Sequence, residues 1–147
     1  MIGHRLKILR ENIYKDQDYI AKKINVARNT YTRYENESRT PTIETLCKLA
    51  LFYDVSLDYI FGLKKQKSPY GNMVNYNEKK FIANIKFIRK KLNYTQLDIA
   101  NLFSCDRVTV ARYENGTYKV PIDYLIKLST LSKIPTDYLV GIIQKTF

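Results

Sequence analysis

The chain has 147 residues, 45% hydrophobic and 27% charged, with 25 Lys and Arg against 14 Asp and Glu for a formal net charge of +11. That length holds one ordinary domain or two very small ones, and five Gly and four Pro exclude collagen-like and low-complexity classes. One His and two well-separated Cys, Cys47 and Cys105, exclude a two-His metal site, a zinc knuckle and a disulfide framework.

The first residues take up charge at once and lack an apolar stretch, so no signal peptide is expected. No run approaches the ~18–20 apolar residues that span a bilayer. The expectation is a soluble, reduced, cytoplasmic protein. Its positive charge points to a polyanion, nucleic acid before an anionic membrane.

Ile2, Leu6, Leu9 and Ile13 fall at helical spacing and predict a first helix with one apolar stripe. Asp16 stands as an N-cap before Gln17, opening a short second helix with Ile20 and Ala21 inward. Ile24-Asn25-Val26 reads as a tight turn. A third helix starts near Arg28 behind Ala27, a poor cap. Glu37 follows its end, so this helix is expected to fray or to stop differently from its later counterpart. Thr42 begins a fourth helix carrying Ile43, Leu46, Leu49 and Ala50. Ser56 caps a fifth over 57–61, stopped by Gly62. Residues 64–77 are basic, contain the turn chemistry of Pro69-Tyr70-Gly71, and read as a linker.

Then the pattern starts again. Arg33-Tyr34-Glu35-Asn36 returns as Arg112-Tyr113-Glu114-Asn115. At the same offset Gln17 meets Gln96, Ile20-Ala21 meets Ile99-Ala100, Thr30 meets Thr109, and Asp58-Tyr59 meets Asp137-Tyr138. Phe81, Ile85, Ile88 and Leu92 repeat the first stripe, and Thr95 takes the capping place of Asp16. Phe103-Ser104-Cys105 repeats the turn. Asp106 is a better cap than Ala27, and Asn115-Gly116 is a good helix stop. A repeat of about 60 residues can fold alone, though marginally. The expected organisation is all-α: a first domain over 1–63, a linker over 64–77 and a second domain over 78–147, each of five short helices.

Two helices abutting through a short turn make a helix-turn-helix. On Asp16-Gln17, Ile20-Ala21, Thr30, Arg33 to Asn36, Pro41, Val55 to Tyr59 and Gly62, with their second-copy partners, the chain resembles the lambda-repressor-like (Cro/CI, XRE) family. The resemblance implies two tandem five-helix lambda-repressor-like domains and double-stranded DNA as partner. It implies a transcriptional regulator, a repressor of a prokaryote or its mobile element, with no cofactor, no metal and no catalytic residues.

Gln17 and Gln96 open the second helix of each copy, where an amide donates to phosphate or braces a neighbour; the resemblance implies both. Arg28, Asn29, Thr32 and Arg33 occupy the exposed face of the third helix, which the resemblance makes the recognition helix. Arg can bridge guanine O6 and N7, and Asn can bridge adenine N6 and N7. The second copy offers Arg107, Val108, Thr109, Ala111 and Arg112. Val108 and Ala111 can read only thymine methyls, so the copies are expected to prefer different half-sites, or the second copy only packs. Glu35 and Glu114 would repel phosphate. The resemblance pairs them with Arg10 and Arg89 as structural ion pairs inside each domain. Asn36 and Asn115 end the helix, where each either caps it or holds a phosphate. Tyr31 and Val110 read as core, Cys47 and Cys105 as core thiols, and His4 as merely exposed.

A flexible linker of about 15 residues spans ~20 Å on average and at most ~50 Å. Half-sites one duplex turn apart lie ~34–36 Å apart, so both copies could dock on one face. The apolar tail, Val140, Ile142, Ile143 and Phe147, either packs onto its own chain or makes a chain-to-chain contact, leaving a homodimer open. The alternative reading is an antitoxin or phage-type inhibitor that uses the same fold against a protein partner. No nucleophile–base pair, metal cluster or phosphate-cradling Gly loop supports an enzyme.

Overall fold

The structure, a computed structural model, describes residues 1–144. The chain divides into two compact units, Met1–Asn75 and Tyr76–Phe147. The first contains α1 (Ile2–Asn12), α2 (Gln17–Lys23), α3 (Arg28–Glu35), α4 (Ile43–Tyr53) and α5 (Leu57–Phe61). The second contains α6 (Glu78–Lys91), α7 (Gln96–Leu102), α8 (Arg107–Glu114), α9 (Ile122–Ser132) and α10 (Thr136–Leu139). The fold is all-α, and each unit has the same five-helix order. Among the described residues no helix is long and apolar enough to cross a membrane.

Side-chain caps set several helix starts. Asp16 Oδ1 accepts from Tyr19 N at 2.8 Å. Thr95 and Asp98 form a reciprocal capping box, with Asp98 N donating to Thr95 Oγ1 and Thr95 N to Asp98 Oδ2. Thr42 and Ser56 cap α4 and α5, the latter ended by Gly62 at φ 78°. Asp106 departs from the expectation. It occupies the N-cap of α8, but its side chain accepts no capping hydrogen bond, so α8 starts as bare as α3 does behind Ala27. The helix-turn-helix corner needs one left-handed residue, supplied by Asn25 (φ 58°) and Ser104 (φ 55°).

The stripes on α1 and α6 bury Leu6, Leu9, Phe81, Ile85 and Ile88. Each full burial of such a side chain contributes roughly 1.5–3 kcal/mol. Ile13 does not join them. It lies one residue beyond α1, where the helical direction is lost, and is 39% exposed. Ile20, Ala21, Leu46, Leu49 and Ile60 complete the first core; Ile99, Ala100, Leu125, Leu128 and Leu139 complete the second. Tyr31, Val110 and Cys47 are fully buried, whereas Cys105, in the corner, is only partly so. In the tail, Val140, Ile142 and Ile143 are buried within the chain, and Phe147 lies outside the described residues.

The end of α3 corrects a second expectation. Glu37 does not fray the helix: α3 and α8 stop at equivalent residues, and Glu37 takes the left-handed conformation (φ 63°) that Gly116 takes in the second unit (φ 80°). The small residue has changed places. In the first unit it is Gly3 of α1, where a Cβ would meet the Tyr34 and Glu35 carbonyl oxygens at 2.5 Å and Glu37 Cγ at 2.7 Å. In the second unit the matching position is Ile82, whose Cδ1 would lie 2.9 Å from a Cβ on Gly116.

Residues 66–70, read from the sequence as linker, run back along the first unit. Ser56 N donates to Lys67 O at 2.8 Å, Ser56 Oγ to Gln66 O at 3.2 Å, and Tyr70 Oη to Asp58 Oδ2 at 2.8 Å.

Candidate nucleic-acid interface

The sequence places a carboxylate on the helix that should meet phosphate, and the structure turns it inward. Arg10 of α1 grips Glu35 of α3 through two hydrogen bonds, Nε to Oε2 at 2.7 Å and Nη2 to Oε1 at 2.9 Å. Its remaining nitrogen, Nη1, donates to Lys15 O at 3.0 Å. Arg89 holds Glu114 with the same atoms at the same 2.7 and 2.9 Å, and donates to Tyr94 O. The side chains are nearly dry, 4% exposed at Glu35 and 2% at Glu114. Burial works to raise Glu35, but the Arg10 guanidinium, with help from Gln17, holds it below its ordinary value. The charge that would repel DNA is neutralised inside the domain.

This ion pair carries the next layer. Gln17 Nε2 donates to Glu35 Oε1 at 3.4 Å, and Gln17 Oε1 accepts from Thr32 Oγ1 at 2.7 Å. Two partners orient the amide and leave one of its N–H groups unengaged at the start of α2. Thr32 therefore braces Gln17 besides facing outward. Gln96 repeats the bond to Glu114 Oε1 at 3.4 Å. Ala111 stands where Thr32 does, and Arg107 Nη1 replaces its hydroxyl, donating to Gln96 Oε1 at 3.4 Å.

Arg28, Asn29 and Arg33 are exposed on α3, and Thr32 is half-buried between them. Among the described residues the Arg28 and Arg33 side chains have no hydrogen-bond or ion-pair partner. On α8, Arg107, Val108 and Arg112 are exposed, Val108 at 47%, whereas Thr109 is partly buried. Asn36 and Asn115 turn the chain after each helix, their Oδ1 atoms accepting from Ser38 N at 3.0 Å and Thr117 N at 2.9 Å. Among the described residues their amide nitrogens donate no hydrogen bond. His4 is exposed.

Two residues of this surface escaped the sequence reading. Arg39 N donates to Arg33 O at 3.2 Å, and Tyr118 N donates to Arg112 O at 3.1 Å, so both return to the foot of the recognition helix in the same register. Comparing the two copies beyond Asn36 and Asn115 would have flagged the Arg-to-Tyr change. The surroundings diverge in the same direction. Asp18, Lys23 and Asn29 of the first unit correspond to Leu97, Leu102 and Val108 of the second, each about half exposed.

A helix-turn-helix family model matches the chain twice, over residues 6–60 and 85–139. The chain belongs to this helix-turn-helix family, of XRE type, and carries two copies of its domain. It is 38% identical over 78 residues to YobD of Bacillus subtilis, an HTH-type transcriptional regulator, covering 53% of this chain and 70% of YobD. It is 39% identical over 61 residues to the HTH-type transcriptional regulator ImmR of Bacillus subtilis, covering 42% of this chain and 48% of ImmR. It is 37% identical over 57 residues to RstR of Vibrio cholerae, the cryptic phage CTXphi transcriptional repressor, covering 39% of this chain and 51% of RstR. The chain thus spans about half the length of ImmR and RstR. No solved structure matches it.

Proposed function

We propose that the chain is a sequence-specific duplex-DNA-binding transcriptional regulator, acting as a repressor, with two reading units in one chain. The units occupy 1–63 and 78–147, joined through the basic segment between them. The observation that carries the reading is the inward capture of Glu35 and Glu114 by Arg10 and Arg89. It clears the outer faces of α3 and α8 for Arg28, Asn29 and Arg33, and for Arg107, Val108 and Arg112. Gln17, Gln96, Asn36 and Asn115 hold phosphates on either side, and Thr32 and Thr109 support the reading faces.

Selection of bound duplexes from genomic fragments by the purified chain tests this. A single motif with two unlike halves is expected. Arg33→Ala should weaken the selected site more than random DNA, by about 1–3 kcal/mol if the contact is bidentate. Equal weakening on both would reduce Arg33 to a phosphate contact.

One observation favours a second reading for the second unit alone. Leu97, Leu102 and Val108 replace polar and charged residues on its outer face, as a surface built for a protein would. Under that reading a selected motif has one half only, and Val108→Asn leaves DNA binding unchanged.

A further inference from the structure

Arg112 of the second unit lies in surroundings unlike those of its counterpart, Arg33. The Arg112 guanidinium lies over the Tyr118 ring, its carbon 4.8 Å from the centroid, and Nη1 donates to the Tyr118 hydroxyl. The Tyr118 main chain is anchored beside it, because its backbone N–H donates to Arg112 O. Arg33 has no such platform. Its neighbour at the same place is Arg39, a second cation whose main chain is held by the same backbone bond. The recognition helix of the second unit also lacks polar readers: Val108 and Ala111 stand where Asn29 and Thr32 do.

We infer that Tyr118 is a positioning residue that presets Arg112 to read guanine, within a half-site where Val108 and Ala111 can meet only thymine methyls and Arg107 is tied to Gln96 Oε1. The inference rests on the second unit reading DNA at all. Its physical basis is preorganisation. A free Arg side chain loses rotamer entropy when it docks, whereas one already stacked and hydrogen-bonded has lost part of it beforehand. Only Nη1 is engaged with Tyr118, so Nε and Nη2 remain as the donor pair for a bidentate contact to O6 and N7. With Arg107 engaged by Gln96 at the other end of the helix, guanine discrimination in this half-site falls mainly on Arg112. The first unit, with Arg28, Arg33 and Arg39 unconstrained by aromatic rings, reads more tolerantly.

The test uses the intact chain and its selected duplex. Arg112→Ala identifies the base pair at which preference collapses, by about fivefold or more. Tyr118→Ala should lower preference at that same pair by about two- to fivefold, and Tyr118→Phe, which keeps the ring, should retain most of it. Tyr118→Arg should copy the first unit: weaker discrimination and a steeper salt dependence. Thermal melting should not move, since Tyr118 is 44% exposed. The inference is overturned if Tyr118→Ala leaves the preference at that pair intact, or weakens all duplexes equally. If Arg112→Ala changes preference at no position, the second unit does not read DNA, and the inference falls with that reading.

Discussion

Glu35 and Glu114 show how one residue serves the surface from inside. Each carboxylate is nearly dry and doubly bonded to its Arg, so removing it strands a buried cation. Glu35→Ala and Glu114→Ala should each destabilise their unit by about 3–5 kcal/mol, measured by thermal melting. The same changes should weaken DNA binding indirectly, through Gln17 and Gln96. Unchanged melting with tighter DNA binding would mean these groups face the duplex. Glu35 also fixes a pH response. Its pKa is lowered in the fold, so the unfolded chain binds the proton more readily. Its contribution is complete above the ordinary carboxylate value of 4.5 and is lost as pH falls below that. Acid unfolding followed by circular dichroism should show the loss, and Glu35→Gln should flatten it. These pairs were legible only through family resemblance. Spacing alone gives no reason for Arg10 to find Glu35, because the contact depends on how α1 crosses α3.

At the level of elements, local chemistry proved legible wherever it acts locally. Asp16, Thr42, Ser56 and Thr95 cap because their oxygens reach a backbone N–H three residues on, a distance the chain itself sets. Asp106 meets the same rule on paper, yet its side chain makes no such bond. Thr95→Ala should therefore cost about 1 kcal/mol, whereas Asp106→Ala should leave melting within about 0.5 kcal/mol. Equal losses would mean that Asp106 caps α8 in solution. Ile13 and Glu37 misled for a related reason. A stripe says nothing of the residue past the helix end, and whether a left-handed position needs Gly depends on the turn built around it. Arg39, Tyr118 and the returning segment 66–70 carry no pattern of their own; tertiary contacts alone reveal them.

For the whole molecule, charge and tethering set the behaviour. With a formal charge of +11, affinity for duplex should fall by roughly 10³-fold or more between 50 and 200 mM salt, if six or more phosphates are contacted. A flat salt response in filter binding would count against the duplex. The returning segment alters how a tether test must be made. Cleavage at Ser68 would fall between Lys67 and Tyr70, which bond Ser56 and Asp58 of the first unit, so a protease site belongs after Gly71. Linkage confers an effective concentration in the millimolar range. Cleavage there should weaken binding to the two-half site by at least tenfold while leaving both units folded. Unchanged affinity would assign the reading to one unit.

The exchanged glycine also bears on inheritance. A gene with two similar halves is open to unequal crossing-over, which fuses the front of one repeat to the back of the other. A crossover between α1 and α3 would join Gly3 to Gly116, leaving a gap where a side chain belongs, or Ile82 to Glu37, forcing two side chains into one place. Both hybrids lose packing that each parent repeat possesses. Such a mismatch disfavours exchange between the repeats, which leaves the outer faces of α3 and α8 free to differ.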